Sequence, residues 1–323
     1  MSKTPLIAAT LCTFNRAPLL QRALSSLCSQ TLPLEQFEVI VVDDGSTDAT
    51  RDVVRTFEHR LPLRYAHQAN AGLASGKNHA LALARAPLVV FCDDDDILTP
   101  DCLEAHVRAH REHPDPRVAI LGYTDLVPEV AASPLMHFVT EVGCHLFYYP
   151  HLTHGAHLDF SFFWGGRSSC KRELLMEYGV FNPVFRFGAE DIELAWRLSK
   201  TGFRVVYDKR VRTSMIRALD FDGFCRRCYM QGRSNWVFAS LHKTEQVQAW
   251  AEMADLEREW LTIEPRFEDV MRAGRELDRL ANERVARGET LDNLTLALLH
   301  RAYYAAFRAN RIKGSIDRMQ AAA

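Results

Sequence analysis

The sequence predicts an α/β fold: a mostly parallel, Rossmann-like central sheet with flanking helices, followed by a C-terminal helical appendage. Three observations carry this. Short β-branched runs alternate with amphipathic stretches through the first half. Helix-starting residues fall between those runs, and beyond Asp220 only helical periodicity remains, with apolar spacings of three and four under heavy Glu/Arg decoration.

In chain order, strands are expected at residues 6–11, 39–43, 63–67, 88–93 and 118–123. Between them stand Asn15 with Pro18 just inside, Ser46-Thr47-Asp48, the stretch from Gly72 to Ser75, and Thr99 with Pro100, each a helix start. From residue 124 the pattern loosens into loops and edge strands rich in aromatics and histidines. Regular structure returns with helices near 171–178 and 189–201 and a strand at 204–207. Long helices follow at 245–261, 267–286 and 291–311.

Composition excludes several classes. Hydrophobic residues at 47% and charged ones at 25% describe an ordinary globular chain, and 39 basic against 41 acidic residues leave no electrostatic footprint for nucleic acid. No apolar run approaches the roughly 20 residues of a membrane span, and the amino terminus lacks a secretory pattern. The expectation is a cytoplasmic protein that meets a membrane, if at all, peripherally at its inner face. Eight scattered cysteines suit reduced, buried thiols, and Cys225-x-x-Cys228 has no second pair at zinc spacing.

The strongest chemical signal is the apolar run 88–92 followed at once by Asp93, Asp94, Asp95 and Asp96. Four adjacent carboxylates repel one another unless solvent or a cation neutralises them. Their place at the carboxyl end of a central strand, where open α/β sheets bind ligands, favours a cation over a solvated turn. In an extended segment Asp93 and Asp95 would share one side, offering hard oxygens to Mg²⁺ or Mn²⁺. The pair Asp43-Asp44 ends the second strand and runs into Gly45-Ser46-Thr47-Asp48, which reads equally as turn chemistry and as a base- or ribose-binding carboxylate.

In order and spacing, Thr13-Phe14-Asn15-Arg16, the 41–48 segment, Asn70-x-Gly72 leading to Lys77-Asn78, and Asp93-x-Asp95-Asp96 resemble the GT-A glycosyltransferases of family 2. The resemblance covers roughly residues 4–235. It implies a catalytic domain at 1–235, with a nucleotide-sugar half at 1–123 and an acceptor half at 124–235, and a separate helical region at 236–323. It also implies a donor pocket in which Cys12, Thr13, Phe14 and Arg16 border the base, uracil by analogy, and Asp44 bonds to it. Lys77 would face the diphosphate, Asp93 and Asp94 the nucleotide sugar side, and Asp95 the metal. Two departures stand out. Cys12 replaces a small residue or proline, and residues 211–218 hold none of the histidines that relatives offer the metal. His145, His151, His154 and His157 cluster earlier and offer a substitute for that ligand, but are read first as solvated loop residues.

Trp164-Gly165-Gly166-Arg167 and Gly188-Ala189-Glu190-Asp191 are similar to the family's acceptor-side loop and Glu-Asp motif, so Trp164, Gly165, Gly166 and Glu190 are expected on the acceptor side. Of the two acids, Asp191 shares a helical face with Leu194, Ala195 and Leu198, whereas Glu190 falls beside Glu193 and Arg197. That periodicity turns Asp191 inward as the general base. The implied reaction is an inverting transfer from a nucleoside-diphosphate sugar, UDP-linked by analogy, to a hydroxyl of a glycan, lipid-linked or small-molecule acceptor. Gln231-Gly232-Arg233 resembles a segment that closes over the donor. The C-terminal helices are candidates for a homodimer contact. A nucleotidylyltransferase would need glycines in residues 11–18, where there are none; a non-catalytic sugar-nucleotide binder would have no need of both Asp95 and Asp191.

Overall fold

The computed structural model describes residues 4–322. The chain forms two compact units that alternate along the sequence: Met1–Val127, Leu152–Arg186 and Glu190–Arg217 make the first, and Pro128–His151, Phe187–Ala189 and Ala218–Ala323 the second.

The first unit is a sheet covered by helices. Its strands are β1 (Ile7–Thr13), β2 (Phe37–Asp43), β3 (Leu63–His67), β4 (Leu88–Cys92), β5 (Asp96–Leu98), β6 (Val118–Leu126), β7 (His157–Leu158), β8 (Ser168–Lys171) and β9 (Arg204–Met215). They line up as β3-β2-β1-β4-β8-β6-β9-β5, with β7 against β9. The first four run parallel, as do β6 and β9, while β8 joins β4 and β6 antiparallel. Every residue of β2 is buried, Glu38 and Asp43 included, which is why its middle, residues 39–42, reads as an unbroken apolar run and not an alternation. Helices α1 (Ala17–Leu27), α2 (Thr50–Arg55), α3 (Leu73–Leu83) and α4 (Cys102–Glu112) follow the breakers named above. Leu20, Leu24 and Leu27 of α1 and Leu103 and Val107 of α4 pack with Ile7, Leu11, Val39 and Val41 in the core.

Three strands escaped the sequence. β5 begins inside the acidic run, β7 has two residues, and β8 is Ser-Ser-Cys-Lys, with no hydrophobic pattern to betray it. β8 is held from within instead, because the buried Ser169 hydroxyl lies 2.8 Å from His106 Nδ1 and 2.9 Å from His110 Nε2. Strand β9 runs eight residues past the expected end at 207. Its charged second half pairs with β6 after a register break opposite Gly122 and Tyr123.

In the second unit, α5 (Pro128–Ala131) and α6 (Pro134–His137) precede α7 (Arg172–Tyr178) and α8 (Glu190–Ser199) of the first unit in sequence; then come α9 (Phe221–Leu241), α10 (Glu245–Trp250), α11 (Leu256–Ile263), α12 (Phe267–Ala286) and α13 (Asn293–Gln320). The helix expected over 245–261 is broken: Glu252 and Asp255 take left-handed backbone, and Glu252 leaves the helix axis to pair with Arg308 and Arg311. Helix α13 extends nine residues beyond the expected 311, started by Asp292 accepting from the Thr295 amide at 2.9 Å. Phe138, Phe221, Phe224, Tyr303 and Phe307 form its aromatic centre. His145 stacks into that group, with burial pulling its imidazole down to about 4, so it is not the solvated histidine expected; His151, His154 and His157 are exposed.

Gly232 of α9 belongs to this unit, where it lets α13 approach: a Cβ there would meet the Arg311 carbonyl oxygen at 1.9 Å, and one on Gly314 the Tyr229 carbonyl at 2.0 Å. In a free helix Gly→Ala gains up to about 1 kcal/mol. Here Gly232→Ala is expected to lower stability by about 1–3 kcal/mol, as overpacking does, and a thermal melt followed by circular dichroism reads it. A midpoint unchanged or raised would mean that the helices do not cross so closely.

Candidate active site

The site is built at the carboxyl ends of β1, β2 and β4, where backbone hydrogen bonding stops and side chains take over. The four aspartates do not lie extended. They form a tight turn, with Asp96 N donating to the Asp93 carbonyl at 3.4 Å. The pairing expected for a strand therefore fails, because a turn brings its ends together and its middle residues to one side. Asp93 and Asp96 share Arg167, at 2.9 and 3.2 Å. Asp94 and Asp95 share Arg16, at 2.7 and 3.6 Å. The Thr13 hydroxyl donates to the second oxygen of Asp94 at 2.7 Å. Burial pushes Asp94 up to about 6, with Asp95 adding to the effect and Arg16 and Thr13 opposing it; burial lifts Asp96 to about 7 against the pull of Arg167.

Around this turn, Cys12 is half-buried on β1 next to Gly76 of α3, its thiol pushed up to about 12 by burial, and the Phe14 ring is exposed. Both carboxylates that end β2 are engaged. Asp43 accepts from the Ser46 amide and the Tyr65 hydroxyl, each at 2.8 Å. Asp44 accepts from Gln68 Nε2 at 2.7 Å and from the Ala71 and Gly72 amides at 2.9 Å. Asp44 thereby fixes the loop that begins α3. With three donors on two oxygens it retains acceptor capacity for a further N–H.

At the start of α8, Gly165 N donates to Asp191 Oδ2 at 2.8 Å, and Ile192 N to Oδ1 at 2.8 Å. Each oxygen keeps a lone pair for another partner. Burial, then the neighbouring Glu190, raise Asp191 to about 6, and Lys77 works against them. Leu194, Ala195 and Leu198 of the expected face are buried, but so are Glu190 and Glu193, which are more deeply buried than Asp191. Each finds its own cation: Lys77 Nζ lies 2.7 Å from Glu190, and Arg197 lies 2.9 Å from Glu193. Periodicity could not anticipate this, because it assigns charges to the solvent side by default.

The paired glycines are a steric requirement. A Cβ on Gly165 would come within 2.4 Å of Lys77 Nζ, and one on Gly166 within 1.9 Å of Asp93 Oδ2. The Trp164 indole donates to the Ser161 carbonyl at 2.9 Å, and its ring lies 5.6 Å from Phe162. Both rings stay partly accessible, whereas Phe147, Tyr149, Phe160 and Phe163 are core. Thus Thr13, Arg16, Asp93, Asp94 and Asp95 meet at one turn, and Lys77, Gly165, Glu190 and Asp191 at one cluster.

Two arginines that pair with the acidic turn were given no role by the sequence. Arg167 follows the glycine pair and also donates to Thr124 at 2.9 Å; Arg217 stands just past β9 with its guanidinium 3.4 Å from Asp95. The signal was available in principle, since four adjacent carboxylates demand more cations than Arg16 supplies.

Among the described residues no group of three or more His, Cys, Asp or Glu side chains is arranged to hold a metal. Asp95 nevertheless fits one ligand position. Its Oδ2 faces the two guanidiniums at 3.4 and 3.6 Å, longer than charge-assisted hydrogen bonds of about 2.8 Å. That oxygen is unsaturated, with cations already drawn to it. Mg²⁺ and Mn²⁺ need few protein carboxylates when phosphates and water complete the shell.

Comparison with known proteins gives the family and the fold. The family model described as Glycosyl transferase family 2 matches residues 9–179. Validoxylamine A glucosyltransferase of Streptomyces hygroscopicus subsp. jinggangensis is 35% identical over 224 residues, covering 62% of this chain and 53% of that protein. The chain thus spans about half the length of the curated relatives it first matches. In fold it is similar to the mannosyltransferase PcManGT of Pyrobaculum calidifontis in complex with GDP-Man and Mn²⁺, at TM-score 0.63 and 20% identity over 98% of this chain and 88% of that one. It is also similar to Staphylococcus aureus TarS 1-349 in complex with UDP, at TM-score 0.57 and 18% identity over 98% and 92%. With more than half of the sequence inside the family model, and with the acidic turn, the glycine pair and the Glu-Asp helix start in place, the chain belongs to glycosyl transferase family 2 and carries the GT-A fold.

Proposed function

We propose that this protein transfers a sugar from a UDP-linked donor to an acceptor hydroxyl with inversion at the anomeric carbon, Asp191 acting as general base. The observation that carries the reading is the Asp191 carboxylate, held by two backbone amides with lone pairs to spare and raised to about 6, close enough to neutrality to accept a proton. The acceptor oxygen bonds to the anomeric carbon as its proton passes to Asp191. The bond to the diphosphate breaks, and its electron pair leaves with the nucleotide.

Cys12, Thr13, Phe14, Arg16, Asp44, Asp93 and Asp94 form the nucleotide side, and Trp164, Gly165 and Gly166 border the acceptor. Asp95 would hold Mg²⁺ or Mn²⁺, which when bound supplies Lewis-acid stabilisation of charge on the departing diphosphate. Support for uracil comes from the UDP complex of TarS, and support for a divalent ion from the Mn²⁺ in the PcManGT complex. The named activity of the validoxylamine A relative favours a small hydroxylated acceptor among the glycan, lipid-linked and small-molecule classes. No helix among the described residues is long and apolar enough to cross a membrane, so a lipid-linked acceptor would be met from the surface by this part of the chain.

A panel of UDP- and GDP-sugars with Mn²⁺, scored for nucleotide release, tests the reading. Asp191→Asn is expected to lower kcat by about 10²–10⁴ with UDP affinity retained. Asp95→Ala should lose both turnover and manganese-dependent UDP binding. Undiminished release by Asp191→Asn would move the base elsewhere, and turnover confined to GDP donors would replace uracil with guanine.

Because the base must be ionised, kcat/KM is expected to rise with pH through about 6 and then level off. A rate that is flat from pH 5 to 8 would contradict the assignment. Arg217 competes for the Asp95 carboxylate, and partly exposed pairs are worth up to about 1 kcal/mol. Arg217→Ala should therefore tighten Mn²⁺ binding to the nucleotide-free protein by up to about fivefold, measurable from the loss of the free-ion paramagnetic resonance signal. Equal affinities would show that the guanidinium does not contest that oxygen.

A further inference from the structure

Lys77, expected at the diphosphate, is enclosed on the other side of the chemistry. Its ammonium and the Glu190 carboxylate lie 2.7 Å apart with side chains only 6% and 3% exposed, and the ammonium also sits 5.2 Å from the centre of the Phe181 ring. The position of a Cβ on Gly165 falls 2.4 Å from Lys77 Nζ and 3.3 Å from Asp191 Oδ2. Ammonium, glycine and carboxylate are thus one packed group. Glu190 Oε2 is buried with no hydrogen-bond partner, so among the described residues Lys77 is the cation paired with that charge. To reach a phosphate, the ammonium would have to abandon a buried carboxylate, a cost that a short phosphate contact does not recover.

We infer that Lys77 is a positioning residue for Asp191: gripped by Glu190 behind the base, it fixes the charge around Asp191 instead of contacting the donor's diphosphate. This deepens the reading of Asp191 as general base and rests on it. The groups facing Asp191 are Glu190 and the Ile192 amide from α8, Lys77 from α3, and the Gly165 amide from the loop before β8. Lys77 in turn faces Glu190 and Asp191, with Asp93 after β4 and the Cys12 thiol of β1 further off. Burial alone would depress the ammonium, but Glu190 and then Asp191 more than reverse this and keep it charged. Glu190 and Lys77 consequently push Asp191 in opposite directions, which gives the two residues signatures of opposite sign.

The test compares the full chain with Lys77→Met, Glu190→Gln and the double variant, reading the acid limb of the kcat/KM profile and UDP affinity by calorimetry. Lys77→Met should move the limb up by about one pH unit, a tenfold change in proton affinity. Glu190→Gln should move it down, and the double variant should lie between them, with UDP affinity within about twofold throughout. A drop of tenfold or more in UDP affinity for Lys77→Met with the limb unmoved would overturn the inference and restore the diphosphate role, as would shifts of the same sign in both single variants. If burying one unpaired charge prevents folding, the neutral double variant still discriminates, since a diphosphate role predicts weak UDP binding in it. The Asp191 titration, followed by carboxyl carbon shifts with Asp191→Asn for assignment, gives the same comparison without turnover. Opposite shifts there, with no sugar transfer from any donor, would sink the proposed function and leave this inference standing.

Discussion

The structure depends on neutralising four carboxylates that chain order places side by side. Asp93 to Asp96 could not all remain ionised in a buried turn without cations, and the three that arrive come from distant segments: Arg16 after β1, Arg167 before β8 and Arg217 after β9. Each of these segments is positioned by the sheet and held to the turn by charge. Arg167 is the most enclosed, and it binds Asp93, Asp96 and Thr124 together. The acidic turn is therefore a fastening for the sheet rim as well as a candidate cation site. The two roles meet at Asp95, whose Oδ2 makes only long contacts with protein cations and so remains available.

How much of this could be read from the sequence follows from which forces leave a pattern in it. Strands β1, β2 and β4 were legible because both their faces are buried, and burial writes apolar runs such as residues 39–42. Strand β8 was not, since it is held by the Ser169 hydroxyl set between His106 and His110, and hydrophobic patterning carries no trace of such bonds. The single helix expected over 245–261 failed for a similar reason. Its interruption answers a tertiary ion pair between Glu252 and Arg308, and local propensity favours continuing straight through.

The site shows the same division. The candidate residues Thr13, Arg16, Asp94 and Asp95 were found because their types and order are distinctive, and the fold brings them within hydrogen-bonding or ion-pairing reach of one another. What could not be read was direction. An extended geometry assigned Asp93 and Asp95 to one side, where the turn groups Asp93 with Asp96. Helical periodicity assigned Glu190 outward, where Lys77 holds it in. The first error comes from assuming an extended backbone where the chain turns, the second from treating a charged side chain as one that seeks solvent. In a cleft lined by both signs, the nearest opposite charge decides instead.

Stability alone does not account for that cleft. A buried ion pair is commonly no more stabilising than well-packed apolar residues of similar volume, so the Lys77–Glu190 pair adds little to folding that a leucine and a methionine could not. Asp191 goes further and opposes folding. A carboxyl raised to about 6 binds its proton more tightly in the folded protein than in the unfolded chain, so its contribution improves as pH falls from about 6 toward its unfolded value near 4, and at neutral pH it is a cost. The glycines that admit these groups add chain entropy to the same side. The core formed by β1, β2, α1 and α4 must carry the deficit, and it contains none of the candidate site side chains. The division of labour is physical: an apolar interior stable enough to tolerate a rim of crowded charges, and a rim whose crowding poises one carboxylate to take up a proton.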